Sequence, residues 1–228
     1  ARKTTAEEQA FPHPGTNGIT LVELDIQHEQ QHQELLLTDL IALFSENPLE
    51  PAVWRPQATD DETSTPPIQW ITGALGIAEI GATESFRFDN EEPPHQVILR
   101  PHALADRVVT NGEWQAFIAE GGYQRPEFWL SDGWAWVERE RIFAPLYWSR
   151  NGSADDWSSF GLAGRKRLLA NCPVTHISHY EADAYARWAG ARLPTEPLPA
   201  PSGPRHQPGP QEESLAHASV RAHGHRRR

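Results

Sequence analysis

The chain has 228 residues, a single cysteine, no methionine and a formal net charge of −11. That length allows one large domain or two small ones. The acidic balance argues against a nucleic-acid partner, no apolar run of about 18 residues marks a membrane span, and no signal-peptide pattern opens the chain. Cys172 alone cannot form an internal disulfide, and these features together predict a cytoplasmic protein. Nine Trp and eight Phe supply aromatic area for a packed core.

Residues 1–18 are polar, contain Pro12, Pro14, Gly15 and Gly18, and read as irregular. Residues 19–45 predict a helix in which eight polar residues, Gln27 to Glu34, interrupt a leucine-rich pattern. At about 100° per residue, His28 and His32 share one face, with Leu21, Leu24 and Leu35 within about 40° of His28. The histidines therefore fall in the apolar stripe expected to face a core. Polar groups buried there need partners, and two imidazoles at i and i+4 are well placed to hold a transition metal. A linker follows over 46–67, where Pro48, Pro51, Pro56, Pro66 and Pro67 flank Asp60-Asp61-Glu62.

From Ile68 the texture changes. Ile68–Ile80 and Gln96–Leu99 predict strands. Thr110 and Glu113 form a capping box for a helix, with Val109 and Trp114 as its hydrophobic staple and Gly121 at its end. Ser178 and Glu181 form a second box, ahead of a helix carrying Tyr185 and Trp188 and closed by Gly190. Between them, Gly121-Gly122-Tyr123, Phe128-Trp129, Gly133-Trp134-Ala135-Trp136 and Tyr147-Trp148 predict long ordered loops packed by their own side chains. At Pro197 the chain turns rich in Pro, Arg and His and loses its aromatics. With the missing methionine, this points to an incomplete or altered gene product. The tail over 197–228 is expected to be an out-of-frame translation of GC-rich DNA or a disordered segment.

The histidine pair admits several readings. Residues 28–32 match His-Glu-x-x-His, the zinc-protease pattern, with Glu29 as general base. The metzincin extension fails because Leu35 and Thr38 replace its Gly and His. The glutamate a gluzincin needs would be Glu46 or Glu50, set among chain-breaking prolines. A plainer alternative is a pair of core histidines satisfied by hydrogen bonds. Glu34 could complete a two-His, one-carboxylate iron site, but it lies about 200° round the helix from His32. A third ligand must then come from another segment, with His13, His95, His102, His176 and His179 as the candidates within the chain.

The segment His28-Glu29-Gln30-Gln31-His32-Gln33-Glu34-Leu35-Leu36-Leu37-Thr38-Asp39 resembles the ergothioneine-biosynthesis sulfoxide synthases. The second half is similar to the same family at Phe88–Glu91, Val109–Glu113, Gly121–Tyr123, Trp129–Trp134, Pro145–Trp148 and Glu181–Glu196. The resemblance spans about residues 19–196. It implies an α+β architecture: the C-terminal helix of a DinB-like four-helix bundle over 1–45, the linker, then part of a formylglycine-generating-enzyme-like (C-type-lectin-like) domain over 68–196. It implies that His28 and His32 bind Fe(2+), with a third histidine from an earlier bundle helix, and that Gln31 contacts the imidazole substrate. The implied reaction uses O2 to join cysteine or γ-glutamylcysteine to C2 of hercynine as a sulfoxide. The sequence departs from the family where the upstream helices and the stretch after Glu196 are expected, so the expectation is a truncated product with lost activity. Formylglycine formation would need a cysteine pair, and Cys172 stands alone; a buried structural cysteine is the plainer reading.

Overall fold

The computed structural model describes residues 18–54, 64–81, 86–150, 152 and 156–195. The predicted tail and His13 lie outside the described residues. The chain mixes helices with small antiparallel sheets, as the α+β expectation requires.

Helix α1 runs Gly18–Ser45, one residue longer at its start than the sequence pattern predicts. The predicted strand Ile68–Ile80 is two strands, β1 (Trp70–Thr72) and β2 (Gly76–Ile80). They separate because each takes a different partner: β2 pairs with β3 (His95–Leu99), and β1 pairs with β4 (Ala103–Ala105). No local signal in the sequence encodes a change of partner.

Helix α2 (Asn111–Ala119) begins as predicted. The Thr110 side chain accepts from the Glu113 amide at 3.4 Å, and Glu113 accepts from the Thr110 amide at 2.9 Å. Val109 packs against the cluster that contains Trp114. Gly121 follows the helix with φ 80°, a left-handed conformation that suits glycine. Helix α4 (His179–Trp188) is capped the same way by Ser178 and Glu181.

The aromatic stretch is more regular than the expected loops. It holds helix α3 (Ser131–Glu140) and a three-stranded sheet of β5 (Trp148–Arg150), β6 (Trp157–Gly161) and β7 (Gly164–Arg167). Two things hide α3. Its N-cap is Leu130, which makes no side-chain cap, and Gly133 sits inside it. That glycine is there for space, since a Cβ on Gly133 would meet the Tyr180 side chain at 2.8 Å.

The core gathers Trp114, Phe117, Tyr123, Trp129, Val137, Trp148, Trp157, Val174, Ala184 and Tyr185. Trp114 stacks on Tyr185 with centroids 4.8 Å apart and planes 8° from parallel. Two of the buried indoles donate to neighbours: Trp129 to the Gly122 carbonyl at 2.9 Å, and Trp114 to the Tyr123 hydroxyl at 3.4 Å. That hydroxyl donates in turn to the buried Glu181 carboxylate at 2.6 Å. Residues 169–174 cross the start of α2, where the Asn111 amide donates to Cys172 and the Val174 amide to Val109.

Candidate metal centre on helix α1

Helix α1 has two apolar sides. Leu37, Leu40, Ile41 and Phe44 are half-buried and lie about 120–220° round the helix from His28. The helix lies against β6. The opposite side carries Leu21, Leu35, Leu36 and Leu43, all within about 80° of His28, and these are exposed.

His28 and His32 stand on this second side and are also exposed. This corrects the expectation that the apolar stripe around them faces a core. Among the described residues the cover falls mainly on the other side of the helix, with Leu24 and Gln31 half-buried on the histidine side. Their rings lie side by side across one turn, with centroids 4.3 Å apart and planes tilted by 59°. Gln31 is half-buried beside them, and Glu29 and Glu34 are exposed. Glu29 lines a shallow groove of about 400 Å³ with Val22, Asp25, Ile26, Gln30 and Gln33, away from the histidines.

Among the described residues no group of three His, Cys, Asp or Glu side chains could share a metal ion. The other candidate histidines are engaged elsewhere. His95 hydrogen-bonds the Pro93 carbonyl at 3.1 Å, and His102 the Arg100 carbonyl at 2.9 Å. His176 packs edge-on against Tyr147 at 5.0 Å, with burial pulling its pKa down, and His179 lies beside Tyr180. The donor set therefore suits iron(II) in kind and spacing, two imidazoles on one helix face, and supplies two positions.

Sequence reasoning missed one element near this helix. Glu50, set aside because prolines surround it, is held by a two-pronged ion pair with Arg165 on β7. That guanidinium holds the Glu50 carboxyl below its ordinary value. The partners are 115 residues apart, so no local pattern could have announced them. Cys172 is half-buried, not buried as the sequence predicts. No helix among the described residues is long and apolar enough to cross a membrane.

Residues 56–197 match the sulfatase-modifying factor enzyme 1-like domain, and the chain belongs to that family. It is 37% identical over 187 residues to the hercynine oxygenase of Mycobacterium tuberculosis, covering 82% of this chain and 42% of that protein. The hercynine oxygenase of Mycolicibacterium smegmatis is 34% identical over 174 residues, 76% of this chain and 39% of that protein. A formylglycine-generating enzyme from Streptomyces coelicolor is 32% identical over 162 residues, 62% of this chain and 46% of that enzyme. The chain thus spans less than half the length of these relatives. Its relatives thus include proteins named as hercynine oxygenases and as formylglycine-generating enzymes.

Proposed function

We propose that the chain carries part of an O2-dependent, iron(II) sulfoxide synthase, which joins the thiol of cysteine or γ-glutamylcysteine to C2 of hercynine. The observation that carries this reading is the His28–His32 pair, with rings 4.3 Å apart on one face of α1, in a chain whose relatives include hercynine oxygenases. Helix α1 is read as the last helix of a DinB-like bundle, with its exposed apolar side as the seat for neighbouring helices. Residues 68–196 are read as the formylglycine-generating-enzyme-like part, 46–67 as the linker and 197–228 as a tail outside both.

His28 and His32 would hold the metal through one ring nitrogen each, as neutral donors. Iron(II) bound there supplies the one-electron chemistry that lets O2 react with a thiol and an aromatic imidazole. Each turnover consumes one O2: one oxygen atom enters the sulfoxide, and the other leaves as water with the thiol hydrogen and the C2 hydrogen. Gln31 lies about 60° from His28 round the helix. Its amide offers both a donor and an acceptor to an imidazole substrate, orienting the ring beside the pair.

Among the described residues the pair supplies two ligands, and two bind an ion more weakly than three, so weak iron binding is expected. Anaerobic titration of the full chain with iron(II) tests the reading. Binding that disappears in both His28→Ala and His32→Ala supports it. Binding that survives either substitution, or no binding above background, overturns it. Zinc-dependent peptide cleavage lost in Glu29→Gln would instead favour a protease.

A further inference from the structure

Arg165 is the most heavily engaged cation among the described residues. Its Nε donates to one Glu50 oxygen at 2.6 Å, and Nη2 donates to the other. Nη1 reaches the Tyr147 carbonyl at 3.3 Å, the Ser149 hydroxyl at 2.7 Å and the Ser158 hydroxyl at 3.4 Å. One guanidinium thus ties the turn that follows α1 to all three strands of the β5–β6–β7 sheet. A planar fork of donors makes this grip possible, and a lysine could not reproduce it.

The backbone around it is unusual in a way the ion pair does not require. The described residues include four non-glycine residues with positive φ: Glu50 (42°), Arg141 (54°), Tyr147 (70°) and His176 (59°). Arg141 ends helix α3. Of the other three, two contact Arg165 directly and the third packs on one of those two. Glu50 supplies the carboxylate and Tyr147 a carbonyl. His176 packs its ring on Tyr147, and its carbonyl accepts from the Leu146 amide at 3.2 Å. Left-handed conformations cost free energy for side chains of this size, and they persist where surrounding contacts over-determine them. The junction is closed further by the Val53 amide, which donates to the Leu162 carbonyl at 2.7 Å.

We propose that Arg165 is a positioning residue: through Glu50 it fixes the register of helix α1, and with it the His28–His32 pair, against the β5–β6–β7 sheet. The link to catalysis rests on reading that pair as an iron site; the latch itself does not. Glu50 lies five residues beyond the end of α1, so a loose turn there would let the helix swing and translate the rings away from any substrate held by the sheet domain. Misplacement of reacting groups by about 1 Å costs on the order of a hundredfold in rate.

Two measurements on the full chain test this. Hydrogen exchange at the Val53 amide reads the junction without any metal. Arg165→Gln and Glu50→Gln are each expected to speed that exchange at least tenfold, the double variant no further, and Arg165→Lys by less, while the amides of α2 keep their protection. Val53 exchange unchanged in Arg165→Gln overturns the latch. The second measurement reads register. Copper(II) is loaded on the His28–His32 pair, a nitroxide is attached at position 166 through Lys166→Cys in a Cys172→Ser background, and the spin–spin distance distribution is recorded. It is expected to be at least twice as broad in Glu50→Gln as in the labelled parent. A distribution of unchanged width and mean overturns the claim that the latch positions the histidines. If copper(II) does not bind the pair at all, the metal-site reading fails, and the Val53 exchange still decides the latch.

Discussion

Helix α2 and helix α1 are both leucine- or aromatic-rich helices, yet they stand in opposite circumstances. Phe117 of α2 is 0% exposed, and rings from Trp114, Tyr123, Phe128, Tyr185 and Trp188 surround it. Leu36 of α1 is 59% exposed, on the side that carries the histidines. The first helix is fixed by burial from every side. The second is fixed by one face and by the Glu50–Arg165 junction at its end. Stability and candidate chemistry therefore sit in different parts of the molecule, and substitutions should separate them.

The largest effect is expected at Phe117. Phe117→Ala leaves a cavity among rings that cannot collapse into it, and denaturant unfolding should show a loss of about 3–5 kcal/mol. A loss under about 1 kcal/mol would mean that this region is not the core that holds the fold.

Next comes Glu181, 2% exposed. Glu181→Ala strands the Tyr123 hydroxyl and the Ser178 amide, for an expected loss of about 2–4 kcal/mol. Its pH behaviour sharpens the contrast. Burial raises the Glu181 pKa above its ordinary 4.5, so its ionised form disfavours the folded state. Its contribution is complete below pH 4.5 and fades as pH rises through the raised value. Glu113, held down chiefly by hydrogen bonds from Arg107, and Glu50, held down by Arg165, behave oppositely. Their contributions are complete above the ordinary value and are lost as pH falls through the lowered ones. Melting temperature against pH should therefore flatten on the alkaline side of 4.5 in Glu181→Gln. An unaltered profile would remove Glu181 as a source of the pH dependence.

Gly133 offers a test by sign. Glycine to alanine inside a helix ordinarily stabilises, by roughly 0.5–1 kcal/mol. Gly133→Ala should instead destabilise by about 1–2 kcal/mol, because the new Cβ meets Tyr180 at 2.8 Å. Stabilisation would show that α3 does not lie so close to α4.

The smallest effects belong to α1. His28→Ala and Leu36→Ala sit on an exposed face, and each should change unfolding free energy by no more than about 0.5 kcal/mol in metal-free protein. A loss of several kcal/mol from either would show that this face is covered by part of the same chain.

The sequence by itself determined the features that local chemistry encodes. Both capping boxes, the glycine after α2 and the length of α1 follow from hydrogen bonds and dihedral preferences within a few residues, and so does the one-turn spacing of His28 and His32. Tertiary structure decided the rest. It split Ile68–Ile80 between two partner strands and made a helix around Gly133. It also turned the histidine stripe to the exposed side of α1 and brought Glu50 to Arg165 across 115 residues. Periodicity tells which residues share a face of a helix, but the element that covers that face is chosen by packing with distant parts of the chain.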